Sequence, residues 1–290
     1  MRTQPQDVIA KLEADNSRLA KEKILLDAMN EGLDEFFEGL KMCLDKLYTF
    51  GVKQVPTKDE VVAGQGCPWN VFKDLAEKLY NRELTGHNAR DAINLVMSSA
   101  TAEQWNGFYR RILIKDLRCG VSEKTVNSVA KKNKFGKYMV PVFTCQLAHD
   151  SANHEKKLVG KKMLEVKLDG VRTLAIVHPD GKVDMLSRNG KEFTNFGHIQ
   201  DEISAVVKQD PPPYPLVLDG EVMSENFQDL MKQVHRKGSA DAKDAVLHLF
   251  DFIPLEEFKK GKWDKTQTLR TAMLKACLLY TSPSPRDNTT

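Results

Sequence analysis

The apolar residues of this chain change their period near Pro141, and that change restricts the fold more than any composition figure does. From Val8 to about Phe50 they recur at helical spacing, at Ile9, Leu12, Leu19, Leu26, Met29, Leu33, Phe37, Leu40, Leu44 and Leu47. Gly51 and the region of Pro56 end this run. A loop follows at Ala63-Gly64-Gln65-Gly66-Cys67-Pro68, and helical spacing returns over residues 70–132. Thr85-Gly86 and Cys119-Gly120-Val121-Ser122 break the second stretch, with Ser122 placed to cap the helix carrying Thr125, Val126 and Val129. Beyond Pro141 the pattern shortens. Residues 149–157 are polar and aperiodic, and from Met163 onward alternating runs occupy 163–168, 172–178, 182–187, 216–223 and 246–253. One helical stretch, at about 195–208, and the breaker Pro211-Pro212-Pro213 interrupt them. The change of period predicts a multidomain chain: an all-α N-terminal domain over 1–148, a linker or loop at 149–160, and an α+β domain with largely antiparallel pairing over 161–276.

A chain of 290 residues with 41% hydrophobic content accommodates two such domains, each with a core. The five cysteines are scattered and odd in number, and neither they nor the seven histidines show metal-ligand spacing. The N-terminus lacks an apolar signal core, and no run approaches the roughly 20 apolar residues that span a bilayer. A reducing cytoplasmic setting without membrane contact is the expectation. The net charge of +3 is unevenly spread. Between Trp105 and Lys137 lie nine basic residues, Arg110, Arg111, Lys115, Arg118, Lys124, Lys131, Lys132, Lys134 and Lys137, against Asp116 and Glu123. Interleaved with Phe108, Tyr109 and Phe135, they read as a phosphate-backbone contact surface or, equally, as a solvated helix face.

The chemistry concentrates at Lys167-Leu168-Asp169-Gly170-Val171-Arg172. The run Met163-Leu164-Glu165-Val166 reads as a strand, Asp169-Gly170 as a turn, and Thr173–Val177 as the next strand. A lysine there is expected to be partly desolvated and beside Arg172, and both effects favour the neutral, nucleophilic amine. An ordinary hairpin with a solvated lysine is the alternative for these six residues taken alone. Further along stand Ser187-Arg188-Asn189-Gly190, then Leu218-Asp219-Gly220-Glu221 with a carboxylate after a second Asp-Gly turn, then Phe250-Asp251-Phe252. A nucleophile, cations, a carboxylate for a hard metal ion and an aromatic face are what phosphoryl transfer requires.

In that order and at those gaps the motifs resemble the covalent nucleotidyltransferases, specifically the ATP-dependent DNA ligases. Arg82-Glu83-Leu84-Thr85-Gly86-His87-Asn88-Ala89 and Leu117-Arg118-Cys119-Gly120-Val121-Ser122 look like the helical DNA-binding domain of ligases of the T-even bacteriophage type. The resemblance covers roughly residues 75–275. It implies that Lys167 attacks the α-phosphate of ATP and carries AMP, which passes to the 5′-phosphate of a nick before the 3′-hydroxyl displaces it. Such sealing would serve DNA replication, repair and recombination. By the same resemblance Glu165 accepts from the adenine amino group, Arg172 and Arg188 grip phosphate, Glu221 holds the ribose or a catalytic Mg²⁺, and Phe250 stacks on adenine. Surface and core roles remain the alternatives for Glu165 and Phe250. Asp169 and Gly170 shape the turn. Arg110, Arg111, Lys115, Arg118, Lys124, Lys131 and Lys132 would contact nicked duplex DNA. The implied cofactors are ATP and a divalent metal, and the implied state is a monomer in the cytoplasm, the host's if the source is viral. An RNA ligase, a capping nucleotidyltransferase or a non-catalytic DNA-binding fragment are the competing readings.

The family also carries a later Glu-Gly motif, a Lys-x-Lys strand and an OB-fold domain, and these 290 residues contain none of the three. The chain instead ends Cys277-Leu278-Leu279-Tyr280-Thr281-Ser282-Pro283-Ser284-Pro285-Arg286-Asp287 before its last residues. That string reads as the translation of a transposase-type sequencing adapter, so residues 277–290 are expected to be a non-native tail on an incomplete nucleotidyltransferase domain. A Pro/Ser-rich native tail is the alternative. An incomplete domain would be a poor enzyme.

Overall fold

The structure is a computed structural model that describes residues 3–52, 54–59, 64–224 and 244–281. It divides into two compact units, Met1–Phe143 and Thr144–Thr290. In the first, the regular elements among the described residues are helices. They are α1 (Pro5–Ala14), α2 (Arg18–Asn30), α3 (Asp34–Leu44), α4 (Trp69–Tyr80), α5 (Gly86–Ser99), α6 (Ala102–Gln104), α7 (Arg110–Leu113) and α8 (Glu123–Lys132). A π-helical turn, Trp105–Tyr109, joins α6 to α7. Among the described residues no helix is long and apolar enough to cross a membrane.

Caps and one-sided apolar faces account for these helices. The Ser17 and Ser122 side chains accept from the Ala20 and Thr125 N–H groups, satisfying donors that a helix start leaves unpaired. Phe72, Leu75, Ala76 and Leu79 line one face of α4 and are buried. The π-helical turn brings Trp105, Phe108 and Tyr109 inward together. Both polar ends are met there: Trp105 Nε1 donates to the Pro56 carbonyl at 2.8 Å, and the Tyr109 hydroxyl to that of Cys67 at 2.8 Å. Gly39 permits the close approach of α3, because a Cβ there would meet Phe108 at 2.5 Å and Ile112 at 2.6 Å. One residue of the predicted stripe fails. Leu19 is 77% exposed, and α2 turns Leu25 and Ala28 inward along with the predicted Met29.

The second unit holds β1 (Val171–Val177), β2 (Val183–Ser187), α9 (Gly197–Gln209), β3 (Leu216–Met223), β4 (Val246–Pro254), α10 (Leu255–Lys260) and α11 (Gln267–Thr281). The four strands form one antiparallel sheet in the order β2-β1-β3-β4. Pro179-Asp180-Gly181 turns β1 into β2, with Gly181 at φ 84° and Asp180 Oδ1 accepting from the Lys182 N–H. Ala175, Val177, Val183, Met185 and Val222 pack with Ile199 and Val207 of α9 and with Phe193 and Phe196. The other side of the sheet carries the polar residues considered below, and α11 reaches β4 through Arg270 and Asp251.

Two expectations are corrected. Residues 163–168 are not a strand: the segment has no regular structure, pairs with no strand among the described residues, and leaves Leu164 93% and Val166 86% exposed. Alternating side chains stabilise a strand only where a neighbouring strand supplies the ladder, and β1 already has β2 and β3 on its two edges. Asp219-Gly220 is not a turn either. It lies inside β3, at a register shift against β4, where a Cβ on Gly220 would meet the His248 carbonyl oxygen at 2.5 Å. At the other end of the unit α11 continues to Thr281, into the stretch expected to be a foreign tail, and residues 282–290 of that stretch lie outside the described residues.

Candidate active site

The start of β1 and the middle of β3 build the site. Gly170, just before β1, donates its N–H to Glu221 Oε1 at 3.2 Å. Glycine is required there, since a Cβ would meet the Val222 carbonyl oxygen at 2.3 Å. Arg172 stands opposite Glu221 in the β1–β3 ladder, and Leu174 opposite Asp219. Arg172 Nε and Nη2 donate to Asp219 Oδ1 and Oδ2 at 2.8 and 2.6 Å, a two-pronged contact between planar groups. The Arg172 guanidinium carbon lies 5.2 Å from the centroid of the Phe250 ring. Across the next ladder Asp219 faces Asp251, which accepts from Arg270 Nε and Nη2 at 2.9 and 2.8 Å. Two buried carboxylates therefore sit side by side, each met by an arginine from a different element.

Burial pushes the Asp219 carboxyl above the usual carboxylate range, against the downward pull of Arg172, and Asp219 in turn raises Arg172. Burial also raises Glu221, opposed by the Gly170 N–H and by the charges of Arg172 and Lys167. The half-buried Cys145 thiol is raised by burial and pulled down by Arg172 and Arg188, and its Sγ donates to the Arg188 carbonyl at 3.7 Å.

The sequence-predicted residues therefore separate into two groups. Arg172, Glu221, Phe250 and Gly170 come together, and Lys167 stands three residues before Gly170 in the chain. Lys167 itself is exposed, so the desolvation expected of it is not met. Glu165 and Asp169 are exposed on the same irregular approach to β1, and Arg188 is exposed on the Ser187–Gly190 turn. Asp219, Asp251, Arg270 and Cys145 join the site although the sequence pattern gives Asp219 only a turn and the other three no chemical role. The first two stand inside the Asp-Gly-Glu and Phe-Asp motifs, beside Glu221 and Phe250. A hard divalent cation is commonly held by one or two carboxylates plus substrate phosphates, and Glu221 fits that partial role. Among the described residues no group of three or more His, Cys, Asp or Glu stands ready to hold a metal by protein ligands alone.

The basic stretch of the first unit also divides. Lys124, Lys131, Lys132 and Arg118 are exposed. Lys115 points inward: its ammonium donates to the carbonyl oxygens of Met42, Asp45 and Tyr48 at 2.7, 2.6 and 2.7 Å. Arg111 donates to the carbonyls of Asn106 and Leu117 at 3.0 and 2.9 Å and pairs with Glu13 at 2.8 Å, while Arg110 Nε donates to the Val55 carbonyl at 3.0 Å. These three stitch the helical unit together. The outward set is smaller than composition suggested.

Comparison with known proteins bears on the same residues. Residues 144–285 match a family model described as the ATP dependent DNA ligase domain. The chain is similar to the DNA ligase of Enterobacteria phage T4, 26% identical over 200 residues, which cover 67% of this chain and 37% of the phage protein. The DNA ligase of phage T6 is 26% identical over 151 residues, covering 50% of this chain and 30% of that protein. A solved structure titled Pmar-Lig_PreS3 is 61% identical with a TM-score of 0.53, over 96% of this chain and 63% of the other. The chain spans well under half the length of the two phage relatives. The four-stranded antiparallel sheet with its helices is consistent with a nucleotidyltransferase domain.

Proposed function

We propose that the chain belongs, through the matched residues 144–285, to the ATP-dependent DNA ligases, and that it carries the adenylation chemistry of an enzyme that seals nicks in duplex DNA. Lys167 is the nucleophile. Its Nζ, as the neutral amine, gives its lone pair to the α-phosphorus of ATP; the bond to pyrophosphate breaks and the nitrogen loses a proton. Exposure of the Lys167 segment leaves that nitrogen open to a nucleotide. AMP then moves to the 5′-phosphate of the nick, and the 3′-hydroxyl displaces it.

Arg172 and Arg188 grip phosphate oxygens, and Glu221 takes the ribose hydroxyls or a phosphate-bound Mg²⁺, which when present neutralises charge developing on the leaving group. Phe250 offers its ring to adenine, and Glu165 accepts from the adenine amino group. Asp169 and Gly170 shape the approach to β1. In the helical unit the exposed Arg118, Lys124, Lys131 and Lys132 are the residues suited to the DNA backbone. The protein would act as a monomer in the cytoplasm.

The observation that carries this reading is the convergence of Arg172, Glu221 and Phe250 at one end of the sheet, beside the segment bearing Lys167. The test is incubation of the 290-residue chain with ATP labelled at the α-phosphate and Mg²⁺. Incorporation of label on Lys167 is expected. Label retained by Lys167→Ala would remove Lys167 as the nucleophile.

A further inference from the structure

Arg172 is oriented before any phosphate arrives. Two of its donors already meet Asp219, and its guanidinium lies against Phe250. The partner cannot swing away, because the Asp219 side chain is only 9% exposed and is held in the ladder between Leu174 and Asp251. Close packing of Gly220 against the His248 backbone pins the bulge beside it. The facing carboxylate of Asp251 is occupied by Arg270, so Asp219 does not confront a second bare anion. A guanidinium gripped on its Nε edge keeps further N–H groups available in the same plane.

The geometry points to Asp219 as a positioning residue for adenylation: it fixes the plane and edge of Arg172 so that the remaining donors are presented to the nucleotide phosphate. It touches no substrate itself. This rests on the reading in which Arg172 grips that phosphate. An arginine recruited from solvent would lose rotamer freedom on closing around the phosphate, whereas Asp219 has already imposed that loss during folding. Departure of Arg172 would leave a buried carboxylate unpaired, so the pair stays intact as the phosphate binds.

The experiment measures incorporation of α-labelled ATP, with Mg²⁺, into the wild-type chain, Asp219→Asn, Arg172→Ala and the double variant. Thermal unfolding of each reports its folded fraction. Losing a charge-assisted contact of this kind should slow labelling by Asp219→Asn about tenfold or more at saturating ATP. The KM for ATP should move less than about threefold, and the double variant should be no slower than Arg172→Ala, since the two residues act as a unit. Added guanidinium chloride at low millimolar concentration should partly restore Arg172→Ala and fail to restore the double variant, whose cradle is gone. Wild-type rates in Asp219→Asn, additive losses, or equal rescue of the double variant would overturn the assignment. A merely structural Asp219 would lower the labelled amplitude with the folded fraction and leave guanidinium rescue untouched. If the wild-type chain takes no label, the adenylation reading itself falls, and Asp219 with it. Label that depends on Lys167 yet ignores Asp219 sinks only the positioning role.

Discussion

Lys115 and Lys167 sit in separate units and represent two opposite uses of a lysine. Lys115 adopts a positive φ of 59° just beyond α7 and sends its ammonium under three backbone carbonyls. Burial pulls its pKa down to about 8. It closes the C-terminal end of α3 onto the turn that follows, satisfying oxygens that a helix end leaves unpaired. Lys167 lies on the irregular approach to β1, exposed, with Leu164 and Val166 exposed beside it. One cation has been committed to holding the fold, and the other remains open to a ligand. Long-range packing makes the difference, since the three acceptors around Lys115 lie 73, 70 and 67 residues away in the chain.

The sharpest way to break the comparison is to remove each lysine in turn. Lys167→Ala should abolish label incorporation, a loss of at least about a thousandfold for a covalent nucleophile, and leave the unfolding midpoint unchanged. Lys115→Met should do the reverse. Three carbonyls would lose their donor, at a cost of about 3 kcal/mol in urea unfolding, while the labelling rate of the folded fraction holds. A Lys115→Met chain as stable as wild type would mean that water replaces the ammonium at no cost. In that case Lys115 would not be a structural residue at all.

What the sequence revealed follows the same division between local and distant causes. The helical periodicity of residues 70–132 and the Ser122 cap are local, and both appear as expected. The runs that became β1, β2, β3 and β4 are readable in the sequence within a residue or two, although β1 does not alternate and buries the five successive residues Thr173–Val177. Residues 163–168 misled because alternation says nothing about whether a partner strand exists. Asp219-Gly220 misled because an Asp-Gly pair marks a turn only where the chain reverses, and here β4 holds it in a ladder. The Arg172–Asp219 and Asp251–Arg270 pairs span 47 and 19 residues across different elements, so no window of sequence could show them. Glu221 and Phe250 were found because their motifs name them; their neighbours Asp219 and Asp251 became visible only through their arginines.

A smaller effect concerns the pH dependence of the helical unit. Below about pH 8 Lys115 is protonated both folded and unfolded and contributes no slope. Between that value and the ordinary lysine pKa of about 10.4, the unfolded chain holds a proton that the folded chain has released. Unfolding then binds a proton, and stability rises with pH. The gap between wild type and Lys115→Met should therefore widen by roughly 1 kcal/mol per pH unit across that window, with other titrating groups cancelling in the difference. Urea midpoints at either end of the window check it. A flat gap would mean that the three carbonyl bonds outweigh burial and keep the charge on the folded chain.

The smallest expected change tests the Lys167 side of the comparison. Leu164 is 93% exposed, so Leu164→Ser removes an apolar side chain that buries almost nothing. Substitutions of this kind shift stability by less than about 0.5 kcal/mol. The variant should melt with the wild type and, with Lys167 three residues away, label at a similar rate. A loss above about 1 kcal/mol would show that the segment packs against a surface in solution, because only burial gives a leucine that weight. Lys167 would then be partly desolvated after all. The contrast with Lys115 would become one of degree, and the amine would owe its reactivity to burial as well as to access.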